Sequence, residues 1–386
     1  MRLLFAAVGA YGHLYPVMPV ALAAQAAGHE VAVATHEAFH PTVKSVGLQA
    51  VSAGLTVEEA LGQAIAALDG PPESEADVAV PAFTRILPEQ VLADLEPGLR
   101  SGAWDLVVHE VGNPGAGIAA RAAGVPSATM ALGRIADGPL WDQIYAGLTR
   151  LAAAHGVPVR EPRTLDQPYL DMCPPSFQAP GVTELIETHI LMRPTAWNPP
   201  GDLPAVVADR DPARPLVYLT LGTTGLFAQP GVLRQMIDAL SGIPADALVS
   251  SGPAVQADSL GALPDNVTVA DWVPQADLMP HVDVAVHHAG SGTLFAALAN
   301  GVPQLLLPQG ADQFANAAWV AQAGAARQLL PDEITPSRIA EGIRALLGNE
   351  QAQTAALGLQ QEIARMPSPE ESIDRLTRWA RSAGEK

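Results

Sequence analysis

The stretch from Val284 to Asn316, VAVHHAGSGTLFAALANGVPQLLLPQGADQFAN, holds residue types at a spacing that could bind a diphosphate. A short apolar run, Val284–His287, predicts a buried strand. It leads into His288-Ala-Gly290-Ser291-Gly292-Thr293, and a helix starts at once. Glycines let the backbone come close to a ligand, and a new helix presents N–H groups that lack intrahelical partners. Together they make a cradle for an anionic diphosphate. A second apolar run, Gln304–Leu307, ends in Pro308-Gln-Gly-Ala-Asp312-Gln313. A carboxylate beside an amide at a strand's carboxyl end suits the hydroxyls of a sugar. One site that joins these two functions points to a nucleotide-sugar ligand.

Other candidates lie at other strand ends. His13, in Gly12-His13-Leu-Tyr-Pro16, follows the first apolar run, where open α/β sheets bind ligands. A histidine there could act as a base near neutral pH or simply cap the next helix. The run Trp104–Glu110 ends in a carboxylate at the same rim. Glu110 could orient the His13 ring and stabilise its protonated form, or be a solvated strand end. Trp272, in Asp271-Trp-Val273-Pro-Gln275, offers a flat face for a nucleobase or fills a domain edge. Thr223, in Thr220-Leu-Gly222-Thr223-Thr224, could approach a phosphate. The turn Gly9-Ala-Tyr-Gly12-His-Leu lacks the G-x-G-x-x-G spacing of dinucleotide sites. Adjacent His287 and His288 point apart on a strand and have no further ligands at metal spacing, so no metal site is expected. Asp209-Arg-Asp211, in a proline-rich stretch, is expected to be a solvated turn.

The elements that position these residues alternate in a βαβ rhythm. Strands are predicted at Leu3–Val8, Glu30–Thr35, Trp104–Glu110 and Pro126–Ala131, with helices at Pro16–Ala27 and Pro114–Ala123 between them. The segments from about Thr56 to Pro88 and from Asp137 to Ile186 are less regular. Between Arg193 and Pro215, six prolines rule out a continuous helix or central strand. The rhythm then restarts, with strands at Leu216–Leu221, Ala247–Ser251, Asn266–Ala270, Val284–His287 and Gln304–Leu307. A helix is expected over Asp312–Ala323, and from Thr335 the chain is helical with a break at Met366-Pro-Ser-Pro369.

Composition bounds the partners. The 386 residues allow two domains. A formal charge of −19 argues against nucleic acid and anionic membranes. The single cysteine, Cys173, excludes an intrachain disulfide and fits a cytoplasmic setting. The apolar run at the start is short and leads into a turn, so it reads as a strand rather than a signal peptide, and no apolar run is long enough for a membrane span.

Taken together, these motifs resemble the family 1 glycosyltransferases of the GT-B fold, and most closely the bacterial branch that glycosylates polyketides and other natural products. The likeness spans nearly the whole chain and is most specific from Trp272 to Asn316. It implies an α/β architecture of two doubly wound, parallel-sheet, Rossmann-like domains facing across a cleft. Residues 1–200 would be the acceptor domain, 201–215 a linker and 216–367 the nucleotide-sugar domain, with a final helix, 368–386, crossing back to the first domain. It implies His13 as the base, with Glu110 where many members have an aspartate; the extra methylene changes the reach of that pair. Trp272, Val273 and Gln275 would hold the nucleobase end, and Thr223, His288, Gly290, Ser291, Gly292 and Thr293 the diphosphate. Asp312 and Gln313 would read the sugar.

The expected reaction is metal-independent, inverting transfer of a sugar to a hydroxyl of a small apolar acceptor, with no cofactor beyond the donor. Many UDP-sugar members carry a ribose-binding Glu eight residues after the phosphate-binding His. Here that position is Ala296, which tilts the donor from UDP toward dTDP. Phe83, Trp141, Tyr145, Met172 and Phe177 are candidates for an acceptor pocket or for core. A non-catalytic auxiliary partner of another glycosyltransferase, a UDP-sugar enzyme and a C-glycosyltransferase are the rival readings. A homodimer or a helper protein is left open.

Overall fold

The computed structural model describes residues 1–223, 230–252, 255 and 260–384. The chain divides into two compact units, Met1–Arg193 with Met366–Lys386, and Pro194–Arg365.

The first unit is built on seven strands: β1 (Arg2–Ala6), β2 (Glu30–Thr35), β3 (Gln49–Ser52), β4 (Leu106–Glu110), β5 (Ser127–Met130), β6 (Tyr169–Asp171) and β7 (His189–Leu191). They lie in the order β3-β2-β1-β4-β5-β6-β7, and every pair is parallel. Every residue of β4 is buried, as are Leu3 to Ala6 of β1. Such continuous apolar runs arise because crossover helices cover both faces of a parallel sheet.

The second unit repeats the plan with β8 (Leu216–Thr220), β9 (Asp246–Ser250), β10 (Val267–Ala270), β11 (Val284–His287), β12 (Gln304–Leu306) and β13 (Ala326–Gln328). Their order is β10-β9-β8-β11-β12-β13, again all parallel. In both sheets the strand order reverses beside the first strand, between β1 and β4 and between β8 and β11. A crevice outside the carboxyl ends forms at such a reversal.

The two parallel sheets and the long apolar strands agree with the sequence reading. The short strands β3, β6, β7 and β13 were not foreseen. Three or four residues are too few to show a period, and their pairing comes from longer neighbours. The irregular segment 56–88 folds as helices Val57–Ala66 and Glu75–Pro81 and a π-helical turn, Ala82–Ile86.

The unit boundaries differ from those expected. The first unit ends at Arg193, and the proline-rich stretch 201–215 belongs to the second unit. Prolines prevent regular hydrogen bonding but not apolar packing. The helix Ala205–Ala208 buries Val207 in a cluster with Leu216, Tyr218, Leu248 and Met279. Arg210 donates to the His281 carbonyl and lies 3.4 Å from Asp283. Asp211 accepts the Ala213 N–H at 2.9 Å, closing a turn.

After Arg365 the chain returns to the first unit. Pro367 O accepts the Arg193 N–H at 2.7 Å. The last helix, Pro369–Gly384, packs on the helix Tyr11–Ala26 and on β7, with Ser372 Oγ donating to Leu191 O at 3.0 Å. Among the described residues no helix is long and apolar enough to cross a membrane.

If 201–215 is part of the second unit's core, Val207→Asp should destabilise that unit by about 3 kcal/mol or more, because it buries an unpaired charge. Urea unfolding of the variant checks this; an unchanged midpoint would return the segment to the status of a linker.

Candidate functional site

In the first unit the site is set by the ends of β1 and β4. The helix Tyr11–Ala26 starts five residues after β1 and has no side-chain cap at Ala10. His13 lies in its first turn, on the β4 side, with Nδ1 3.1 Å from Glu110 Oε1. Glu110 is the last residue of β4 and is fully buried, while the His13 side chain remains 23% exposed. The carboxylate is held at both oxygens. Oε1 accepts the Val8 N–H at 3.1 Å, and Oε2 accepts the Gly112 N–H at 2.5 Å. These contacts fix where the longer Glu side chain ends, and it reaches the ring. A carboxylate at Nδ1 favours the tautomer with hydrogen on Nδ1, which makes Nε2 the basic nitrogen.

His109, next to Glu110, faces the other way into the core. Its Nδ1 is 3.1 Å from Glu110 O, so it donates there, and its Nε2 then acts as acceptor. The Gln167 side chain at 3.2 Å suits that tautomer when its amide nitrogen faces the ring. Burial lowers the His109 pKa, and the ring stays neutral.

In the second unit, β11 delivers His287 and His288. His287 is buried; its Nε2 donates to Gln304 Oε1 at 2.8 Å, and its Nδ1 accepts the Ala289 N–H at 3.1 Å. It therefore fixes the turn, as expected of a structural residue. Ala289 takes a positive φ of 68°, and Gly290 starts the helix Ser291–Ala299. Gly290 offers no side-chain cap and the first turn has no acidic residue, so the positive helix end is available to an anion.

The His288 ring packs against Gly222 and Gly290, where any side chain would collide with it. Gly222 has φ +80°, so the turn after β8 needs glycine twice over. Burial pushes the His288 pKa down to about 4 and that of His287 to about 3, with the neighbouring His288 adding to the second shift. Both rings are thereby held neutral at neutral pH.

The remaining donor-side candidates converge on this turn. Ser291 Oγ donates to Asp312 Oδ2 at 2.9 Å, and Gln275 Nε2 donates to Thr293 Oγ1 at 3.0 Å. The Trp272-Val273-Pro274-Gln275 turn is thereby tied to the start of the helix. Trp272 is 40% exposed, whereas the Val273 side chain is core. Thr223 follows Gly222 at the end of β8; Thr224 lies outside the described residues. Gly292 falls in the first turn with open space around its Cα.

Gln313 is only 3% exposed, and its Oε1 accepts the N–H groups of Gln309 and Gly310. Its carbonyl is thus occupied in fastening the loop that carries Asp312. Asn316 escaped the sequence reading as a functional residue. Its Nδ2 lies 2.9 Å from Asp312 Oδ2, 3.1 Å from Ala289 O and 3.3 Å from Ser291 Oγ, which holds the two loops together. The only signal for it was the Asp312-x-x-x-Asn316 spacing, which places both on one helix face. Gly112 was missed likewise, and Gly222 was read only as a glycine that could approach a phosphate, because a glycine's steric role shows only once its neighbours are in place.

The acceptor-side candidates separate. Met172 and Phe177 are buried core and present no surface to a ligand. Trp141 and Tyr145 are half-buried, with ring centroids 6.3 Å apart, and the Tyr145 hydroxyl donates to Ala136 O at 3.0 Å. Their helix, Pro139–Ala154, packs on the turn Ala82–Ile86, which carries half-buried Phe83. Phe83 packs on a cluster that includes Val8, whose N–H holds Glu110.

Two parallel sheets of matching order, each with polar and histidine side chains at its strand-order reversal, define a protein of the GT-B class. Comparison with known proteins places it further. The model for the erythromycin biosynthesis protein CIII-like C-terminal domain matches residues 234–378. L-demethylnoviosyl transferase of Streptomyces niveus is 32% identical, over 96% of this chain and 96% of its own length. Elloramycin glycosyltransferase ElmGT of Streptomyces olivaceus is 32% identical, over 97% of both. Among solved structures, glycosyltransferase VinC in complex with dTDP aligns with a TM-score of 0.80 at 29% identity, covering 99% of this chain and 100% of that one. Spinosyn rhamnosyltransferase SpnG complexed with thymidine diphosphate aligns at 0.79 and 27%, covering 98% and 100%. The chain belongs to the GT-B natural-product glycosyltransferases, and it is an enzyme of that family rather than an auxiliary protein.

The buried histidines make stability pH-dependent. Below about pH 6.5 the unfolded chain takes up protons at positions 287 and 288 that the folded protein refuses. Stability therefore falls as pH drops from about 6.5 toward the folded values of about 4 and 3. His287→Gln should show a shallower fall over that window in urea unfolding at stepped pH; an identical slope would show that His287 is not kept neutral.

Proposed function

We propose that this enzyme transfers a deoxysugar from a dTDP-sugar to a hydroxyl of a small apolar natural product, in one inverting displacement. His13 Nε2 takes the proton of the acceptor hydroxyl while the acceptor oxygen bonds to the anomeric carbon. The bond from that carbon to the diphosphate oxygen breaks, and its electron pair leaves with the nucleoside diphosphate. Inversion follows because the oxygen attacks the face opposite the leaving group. Glu110 stabilises the imidazolium that forms on His13.

The observation that carries this reading is the His13–Glu110 pair, a partly exposed ring backed by a sealed carboxylate. On the donor side, the helix start at Ser291–Thr293 and the neutral His288 would meet the growing charge on the diphosphate. Preorganised donors of this kind supply about 3 kcal/mol each. No metal enters the proposal, since the helix dipole and these donors take the role a cation has elsewhere. Asp312 would bind sugar hydroxyls, with Ser291 and Asn316 orienting its carboxylate. Trp272 would stack on the base.

The donor assignment rests on Ala296. It is buried among Tyr218, Val273 and Leu278, so this part of the helix offers no carboxylate to a ribose 2′-hydroxyl. The dTDP complexes of VinC and SpnG support the same choice. A cytoplasmic location fits the single, buried cysteine.

Calorimetric titration with dTDP and with UDP, both in EDTA, tests the donor half. We expect dTDP to bind more tightly, at undiminished affinity in the chelator; UDP preference would overturn the donor assignment, and loss of binding in EDTA the metal independence. His13→Ala should lower turnover by about 100-fold or more while dTDP affinity stays unchanged. Retained turnover would remove His13 as the base.

A further inference from the structure

Gly112 sits two residues after Glu110, and two observations about it do not fit an ordinary turn glycine. Its backbone does not adopt the left-handed conformation that favours glycine, so a positive φ is not what calls for a glycine there. A Cβ at this position, however, would lie 2.5 Å from His13 Cε1, 2.8 Å from His13 Nδ1 and 3.0 Å from Glu110 Oε2. These are contacts with a ring and with a carboxylate fixed by two backbone hydrogen bonds, so neither neighbour can give way without losing its place. The same glycine donates its N–H to Glu110 Oε2.

We propose that Gly112 is the positioning residue of the first unit's site: it forms the wall of the slot that holds the His13 ring beside the Glu110 carboxylate, with Nδ1 3.1 Å from Oε1. The inference rests on His13 as the base for its catalytic consequence, but not for its steric content. Any side chain at 112 would rotate the ring off the carboxylate or displace the carboxylate from Gly112 N–H. The second unit uses a comparable arrangement at its own reversal. Gly290 has φ −64° and ψ 139°, ordinary values for any residue, yet a Cβ there would collide with His288 Nε2. In both units a histidine after a central strand is oriented by an absent side chain.

Gly112→Ala tests the slot, with Gly62→Ala as control, since a Cβ on Gly62 in the helix Val57–Ala66 meets nothing. The expected result is a kcat lower by about 100-fold, as for a misplaced reacting group, with acceptor KM and dTDP affinity near those of the parent enzyme. The acidic limb of the kcat/KM pH profile should move with it, because the ring has left its carboxylate. An unchanged kcat, or a loss wholly in KM, would overturn the proposal.

Stability gives a second readout that needs no turnover. The cost of Gly112→Ala in urea unfolding should largely disappear when His13→Ala removes the ring. An equal cost in both backgrounds would show that Gly112 serves the backbone and not the ring. Should His13→Ala retain turnover, the base assignment falls, while this double-mutant cycle still decides whether the slot exists.

Discussion

A carboxylate sealed from water must be satisfied entirely by the protein, and Glu110 is the case on which the first unit depends. It is fully buried, at the end of the central pair of strands, and its oxygens take N–H groups from Val8 and Gly112. The Val8 donor lies in the loop just after β1, so one side chain ties the end of β4 to the chain leaving its paired neighbour β1, at the reversal where the crevice forms. Losing either donor would leave a buried charge short of a partner, which is costlier than the bond itself is worth. Position and satisfaction coincide, and His13 inherits a fixed neighbour 3.1 Å away. A solvated strand end, the alternative role for Glu110, is incompatible with this burial.

The second unit solves the opposite problem, since it has to leave polar groups available. The helix start at Gly290 has no side-chain cap, and the loop before it is held open from outside by Asn316 and by His287. His287 uses both ring nitrogens and is kept neutral by burial, so it behaves as a rigid bracket. Gln313 brackets the neighbouring loop in the same manner through its carbonyl.

A similar network organises the far side of the first sheet. Asp171, buried at the end of β6, accepts from the Cys173 N–H at 2.9 Å and lies 3.0 Å from Gln178 Nε2 and 2.9 Å from His189 Nε2. Gln178 in turn accepts the Ile135 N–H at 3.1 Å. The turns after β5 and β6 are thereby locked to each other. This explains why Met172 and Phe177 belong to the core, leaving Phe83, Trp141 and Tyr145 as the partly exposed aromatics of that region.

What the sequence determined by itself was the architecture and the residue types at the reversals. Long buried strands such as Leu3–Ala6, Leu106–Glu110 and Val284–His287 announce themselves because both faces of a parallel sheet are apolar. The Gly-Ser-Gly-Thr turn is legible because local backbone chemistry, not distant packing, makes an anion site at a helix start. Only the tertiary structure decided which candidates touch. The pairing of His13 with Glu110 spans 97 residues of sequence, and Gln275 meets Thr293 because two loops converge on one rim. The short strands, the packed proline-rich stretch 201–215 and the steric roles of Gly112 and Gly222 share one physical reason for escaping notice. Each is defined by a neighbour remote in the chain, and a side chain that must be absent leaves no pattern until the fold puts something beside it.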